Sequence, residues 1–148
     1  MAVPESPWPT WTRYLALGLA PFAFGVLLGA RPRDLPWILV AVLVGFSGLQ
    51  LGQQTIGAEV GAAIGALTVG LAANLFERLR LGPAAVVQVP GILVLVPGSI
   101  GFRGITALID ENLTTGFAAW SGMLLTAVAL AAGLLLSNVV LPPRGRVG

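Results

Sequence analysis

Ser99 and Arg103 lie four residues apart, one helical turn, directly after the pair Pro97-Gly98. A second pair, Pro90-Gly91, precedes them by seven residues, and Gly101 and Gly104 follow among them. The surrounding stretch, V-V-Q-V-P-G-I-L-V-L-V-P-G-S-I-G-F-R-G-I-T-A-L-I-D from Val86 to Asp110, is apolar enough to enter a bilayer. Proline removes a backbone donor and clashes with the preceding turn, and glycine loosens the chain, so a plain helix throughout is not expected. Inside hydrocarbon a broken helix is tolerated only where it is buried in protein or lines a wet cavity. The chemistry this spacing permits is anion recognition. Ser99 is a favoured N-cap for a half-helix whose backbone amides can meet a carboxylate, and Arg103 reaches the same group from the same face. Pro90, Gly91, Pro97, Gly98, Ser99, Gly101 and Arg103 are therefore the candidate substrate-binding residues. The plainer alternatives stay open: the pairs only kink a packed helix, and Arg103 snorkels to lipid headgroups.

Glu59 is the other titratable group within an apolar stretch. Burial would raise its pKa and suit it to carry a coupling proton; the alternative is a solvated carboxylate near a helix end. Asn74 and Gln88 read as hydrogen-bond partners between helices. Enzyme chemistry finds little support. Pro97-Gly98-Ser99-Ile100-Gly101 is close to a nucleophile elbow but has proline where the first glycine is needed. A serine nucleophile also needs a base, and the chain has neither histidine nor lysine. Without cysteine or histidine, and with few, scattered carboxylates, no metal site is expected, and no cofactor.

The elements that must position these residues follow from composition. Of 148 residues, 56% are hydrophobic and 9% charged, which no soluble core of this size could hide. An all-α polytopic membrane protein is expected. The N-terminal segment, residues 1–13, carries three prolines with Trp8 and Trp11 as interfacial anchors and no pattern of a removable signal peptide. A single transmembrane domain, residues 14–141, follows, then a short tail, 142–148. Within the domain the apolar runs are Tyr14–Ala30, Trp37–Gly52, Ile56–Phe76, the broken fourth segment, and Gly116–Leu141. About five transmembrane helices result, the fourth broken by its Pro-Gly pairs. Gly57, Gly61 and Gly65 on the third run form a small-xxx-small face for close helix approach.

Arginine placement orients the chain. With five crossings and the N-terminus outside, Arg31, Arg33, Arg78, Arg80, Arg144 and Arg146 fall inside, and Arg13 and Arg103 outside. A re-entrant fourth segment leaves four crossings and a weaker bias, five to three. The net charge of +2 is a matter of loop placement and makes no case for nucleic acid.

Pro90-Gly91 together with Val96-Pro97-Gly98-Ser99-Ile100-Gly101-Phe102-Arg103-Gly104 resembles the signature of the threonine/serine exporter family, in its smaller, C-terminal-type module. The similarity extends to Pro21-Phe22-Ala23-Phe24, the glycine-rich third run and the ending Ser137-Asn138-Val139-Val140-Leu141-Pro142-Pro143-Arg144. The resemblance implies a multi-pass protein of the cytoplasmic (inner) membrane, the small subunit of a secondary exporter. Its substrates would be small amino acids of the threonine/serine type or dicarboxylates. Its partners would be the lipid bilayer and a larger N-terminal-type exporter subunit, in a homo- or hetero-oligomer. The alternative is a non-transporting scaffold or regulatory subunit of a membrane complex.

Overall fold

The computed structural model of the chain describes residues 9–96, Thr106 and 113–144. Every regular element among them is helical: α1 (Thr10–Leu27), a 3-10 turn (Pro32–Asp34), α2 (Leu35–Thr55), α3 (Ala58–Arg78), α4 (Ala85–Leu95) and α5 (Leu113–Val140). The chain is a polytopic membrane protein. Three spans among the described residues are long and apolar enough to cross a membrane: Pro32–Thr55, Ala58–Arg78 and Gly116–Val140. Two apolar helices are shorter, Tyr14–Leu27 and Ala85–Leu95.

The turns follow from local chemistry. α1 ends where Gly29 takes a left-handed φ of 66°. That lets the Gly29 and Ala30 amides donate to the carbonyls of Val26 (3.1 Å) and Gly25 (2.8 Å), a Schellman closure. Pro36 then starts α2 in its first turn, where its missing N–H costs no helical bond. α3 closes with the same pattern, Arg80 to Glu77 at 2.9 Å and Leu81 to Phe76 at 3.3 Å. Here the left-handed residue, φ 57°, is Arg80 rather than the usual glycine. Between α2 and α3, Gly57 adopts φ 149° and its amide bonds the Gly52 carbonyl at 3.1 Å, turning the chain back within two residues.

α3 is the centre of the bundle. Half of its apolar window is buried against other helices, whereas for α5 the share is 22%. One apolar cluster joins α2, α3 and α4 through Ile38, Ala41, Val42, Ala73, Phe76 and Val87; a second joins α3, α4 and α5 through Ala62, Ala66, Val69, Leu95 and Leu130. Lipid gives helices no hydrophobic reason to associate, so close backbone packing must do it. The glycines supply that approach: a Cβ on Gly52 would lie 2.5 Å from the Cα of Gly61, so the α2 and α3 backbones touch there. Outward faces carry large apolar side chains, among them Val26 and Leu27 on α1 and Phe117, Val128 and Val139 on α5, all at least 67% exposed, as a lipid-facing surface requires.

Candidate functional site

α4 is the element that brings the candidate site into the bundle. It has 11 residues, about 17 Å at 1.5 Å per residue, little more than half of a hydrocarbon core. Of the two Pro-Gly pairs, the first lies within it. The helix runs through Pro90-Gly91, although Pro90 forfeits the bond to the Val86 carbonyl. Burial of Val87, Pro90, Gly91 and Leu95 against α2 and α3 holds it together there. Gly91 answers a packing need more than a need for flexibility: a Cβ on it would lie 2.5 Å from Val69 Cγ1 of α3. The helix stops at Leu95. Val96, with φ −65° and ψ 125°, is extended, the conformation a following proline imposes. Of the interruptions expected at two places, the first is absent, and the described helix ends at Leu95, ahead of the second pair.

The depth of that stop is fixed by glycine notches. A Cβ on Gly65 would lie 2.7 Å from one Leu95 methyl, and one on Gly45 3.4 Å from the other. Gly45 is the middle residue of the 21-residue α2, and Gly65 is the eighth of the 21-residue α3. The end of α4 therefore sits opposite the middle of two full-length helices. Pro97, Gly98, Ser99, Gly101 and Arg103 come next in the chain and lie outside the described residues.

Glu59 stands exposed in the first turn of α3, where a carboxylate meets the helix's partial positive charge. The burial that a coupling role needs is not supplied by the described residues. Asn74 is the interhelical partner its position suggested: its Nδ2, buried, donates to Asn138 Oδ1 at 2.9 Å and to the Leu141 carbonyl at 2.8 Å. Beside it Arg78 donates through Nε and an Nη to the Pro142 carbonyl at 3.1 and 3.0 Å, and Arg144 donates to the Arg78 carbonyl at 2.9 Å. This clamp joins the ends of α3 and α5; the only sequence signal for it was an asparagine near the end of each apolar run.

A cavity that the sequence reasoning missed opens at the same end of the bundle. It measures about 410 Å³ and lies between the α1–α2 turn (Leu28, Arg31, Arg33, Asp34) and the start of α4 (Pro83, Val86, Val89). Asp34 is its buried polar group, with a side chain 9% exposed. A smaller cavity of about 180 Å³ lies on the far side of Asp34, toward Arg80, Trp37 and Phe76. Sequence counting treated Arg31, Arg33 and Arg80 only as orientation signals, because nothing local in the chain tells that two distant turns meet.

Comparison with known proteins bears on all of this. The family described as threonine/serine exporter, ThrE, matches residues 14–140. A threonine/serine exporter of Corynebacterium glutamicum is 31% identical over 140 residues, covering 91% of this chain and 29% of that protein. Pheromone-regulated membrane protein 10 of Yarrowia lipolytica is 30% identical over 120 residues, covering 76% of this chain and 10% of its own length. The namesake in Debaryomyces hansenii is 28% identical over 148 residues, 82% of this chain and 14% of that protein. The chain thus spans less than a third of each of these relatives. No solved structure matches it.

Proposed function

The chain belongs to the threonine/serine exporter family, and on that premise we propose that it is the small membrane subunit of a secondary exporter. It moves small amino acids of the threonine/serine type, or dicarboxylates, out across the cytoplasmic membrane, together with a larger N-terminal-type subunit and in an oligomer. The observation that carries this reading is the half-length α4, ending before Pro97 at the mid-depth of α2 and α3. Discontinuous helices that stop near the midplane are where secondary transporters place substrate, because freed backbone groups there need a ligand. Pro97, Gly98, Ser99, Gly101 and Arg103 form the binding stretch, and Pro90 and Gly91 seat the helix that delivers it. Glu59 belongs to the coupling path where assembly covers the start of α3.

Efflux from vesicles tests the reading. The chain and its partner subunit are co-reconstituted and loaded with labelled threonine or succinate. Arg103→Ala removes a charge-assisted contact to the carboxylate and lowers efflux by about ten- to a hundredfold, with assembly unchanged on size exclusion. Arg103→Lys restores part of it, since an ammonium lacks the planar two-point contact. Gly98→Leu blocks transport by filling the backbone gap. Parental efflux from a correctly assembled Arg103→Ala complex would make Arg103 an interfacial anchor and remove the site.

A further inference from the structure

Asp34 holds the N-cap position of α2, the usual place for an aspartate, yet its side chain makes no capping hydrogen bond. Its side chain is nine-tenths buried, and its one ionic neighbour among the described residues is Arg33 Nε at 3.8 Å, beyond hydrogen-bond length. No hydrogen bond to the side chain is formed among the described residues, and its oxygens are not sealed off from the cavity, so a cation or N–H groups of a ligand can reach them. It lines the cavity of about 410 Å³, within the ordinary range for small-ligand sites. Around it stand the exposed Arg31 and the largely exposed Arg33, and the remaining wall includes the apolar Leu28, Leu81, Val86 and Val89. On its other side Arg80 is held in a left-handed backbone conformation that glycine would adopt more readily. The cavity therefore offers one recessed negative charge, two exposed positive charges at its rim and an apolar wall.

We infer that this cavity binds the zwitterion of a small α-amino acid, its ammonium on Asp34 and its carboxylate on Arg31 and Arg33. The inference rests on the export reading for the source of its ligand and narrows it, because the two substrate classes differ at this point. An amino acid brings the donor that Asp34 lacks. A dicarboxylate brings a second negative charge against a recessed carboxylate and is rejected. The cavity is also placed to load the transport stretch: it lies at the start of α4, and the other end of that helix is the mid-depth stop before Pro97.

The test is equilibrium binding of labelled L-threonine to the full chain in phosphatidylcholine nanodiscs, with succinate and N-acetylthreonine as competitors. Threonine binds the parental chain at least tenfold more tightly than either competitor. Asp34→Asn, which keeps a good N-cap residue, weakens threonine about ten- to a hundredfold and removes that preference, while the joint Arg31→Gln and Arg33→Gln change weakens all three ligands. Unchanged threonine affinity in Asp34→Asn overturns the assignment. So does equal loss of all three ligands in an Asp34→Asn protein of parental helicity. Should Asp34→Asn not fold, the parental preference for threonine over N-acetylthreonine decides alone, and its absence overturns the proposal. A phosphatidylethanolamine headgroup also pairs an ammonium with an anion, and loss of threonine binding in nanodiscs of that lipid would make this a lipid site and overturn the amino-acid assignment. Efflux separates the two readings: unaltered binding and efflux in Asp34→Asn remove the cavity and leave export standing, whereas no efflux from the parental complex removes export and leaves the binding result to judge the cavity.

Discussion

Gly61→Ala is the smallest change that tests how this bundle holds together. The added Cβ would lie 2.6 Å from the Leu49 carbonyl oxygen and 2.7 Å from both the amide nitrogen and Cγ of Gln53, where ordinary contact begins at 3.4 Å. Two of these three atoms are backbone of α2, so no rotamer change relieves them, and the helices must separate by close to an ångström. Overpacking of this kind costs about 1–3 kcal/mol, and the rigid neighbours put Gly61 at the upper end. Alanine's better helix propensity returns about 0.5–1 kcal/mol, leaving a net loss of about 2 kcal/mol. Gly122→Ala is the matched control: nothing lies within 4 Å of its new Cβ, so only the propensity gain of about 0.5–1 kcal/mol remains. The same chemical change therefore differs by about 3 kcal/mol between the two positions. Reversible unfolding in mixed micelles with increasing dodecyl sulfate measures it, followed through Trp37, whose ring meets Phe76 edge-on at 5.8 Å and so reports the α2–α3 contact. Equal unfolding midpoints for Gly61→Ala and Gly122→Ala would refute backbone contact as the source of cohesion.

Asn74→Ala removes two donated hydrogen bonds between α3 and the end of α5 and costs about 1–2 kcal/mol in the same assay. Asn74→Asp costs more than Asn74→Ala, because an acceptor-only carboxylate then faces the Leu141 carbonyl; the reverse order would show that the amide is not the donor. For topology, single cysteines replace Arg80, Glu111 or Arg146 in this cysteine-free chain. An impermeant reagent applied outside labels the Glu111 position, and the Arg80 and Arg146 positions only after permeabilisation. Labelling at Arg146 without labelling at Glu111 contradicts five crossings.

What could be read from the sequence was what repeats at helical spacing or shifts composition. The four apolar runs outside the central stretch became α1, α2, α3 and α5, each within a few residues of the expected bounds, because in lipid an apolar run has no choice but to be a helix. Gly57, Gly61 and Gly65 signalled close approach, and Gly61 and Gly65 provide it against α2. Pro90-Gly91 misled for a physical reason. A lone helix would break there, but packing against Val69 and the α2–α4 cluster outweighs one lost hydrogen bond. Pro97-Gly98 carried the truer signal, since Val96 must be extended before proline whatever packs around it. The Asp34 cavity was illegible. It depends on two turns about 50 residues apart in sequence, and neither turn alone differs from an ordinary arginine-bearing loop.

The two candidate sites are related through one helix, and this gives Pro90-Gly91 a reason to be where it is. α4 has the cavity at its start and the stop before Pro97 at its end, about 17 Å apart, so a ligand passing from one to the other travels the length of that helix. Halfway along, Pro90 lacks a backbone donor and is buried, and Gly91 lacks a side chain and rests on α3 at Val69; with α1, α4 makes little contact. A helix weakened at its middle and held from one side can bend away from that side without losing its seat. α2 and α3, locked backbone to backbone at Gly52 and Gly61, cannot move in the same way. The bundle thus divides into a close-packed pair that sets the depth of the α4 stop and a short helix whose proline lies between the cavity and that stop.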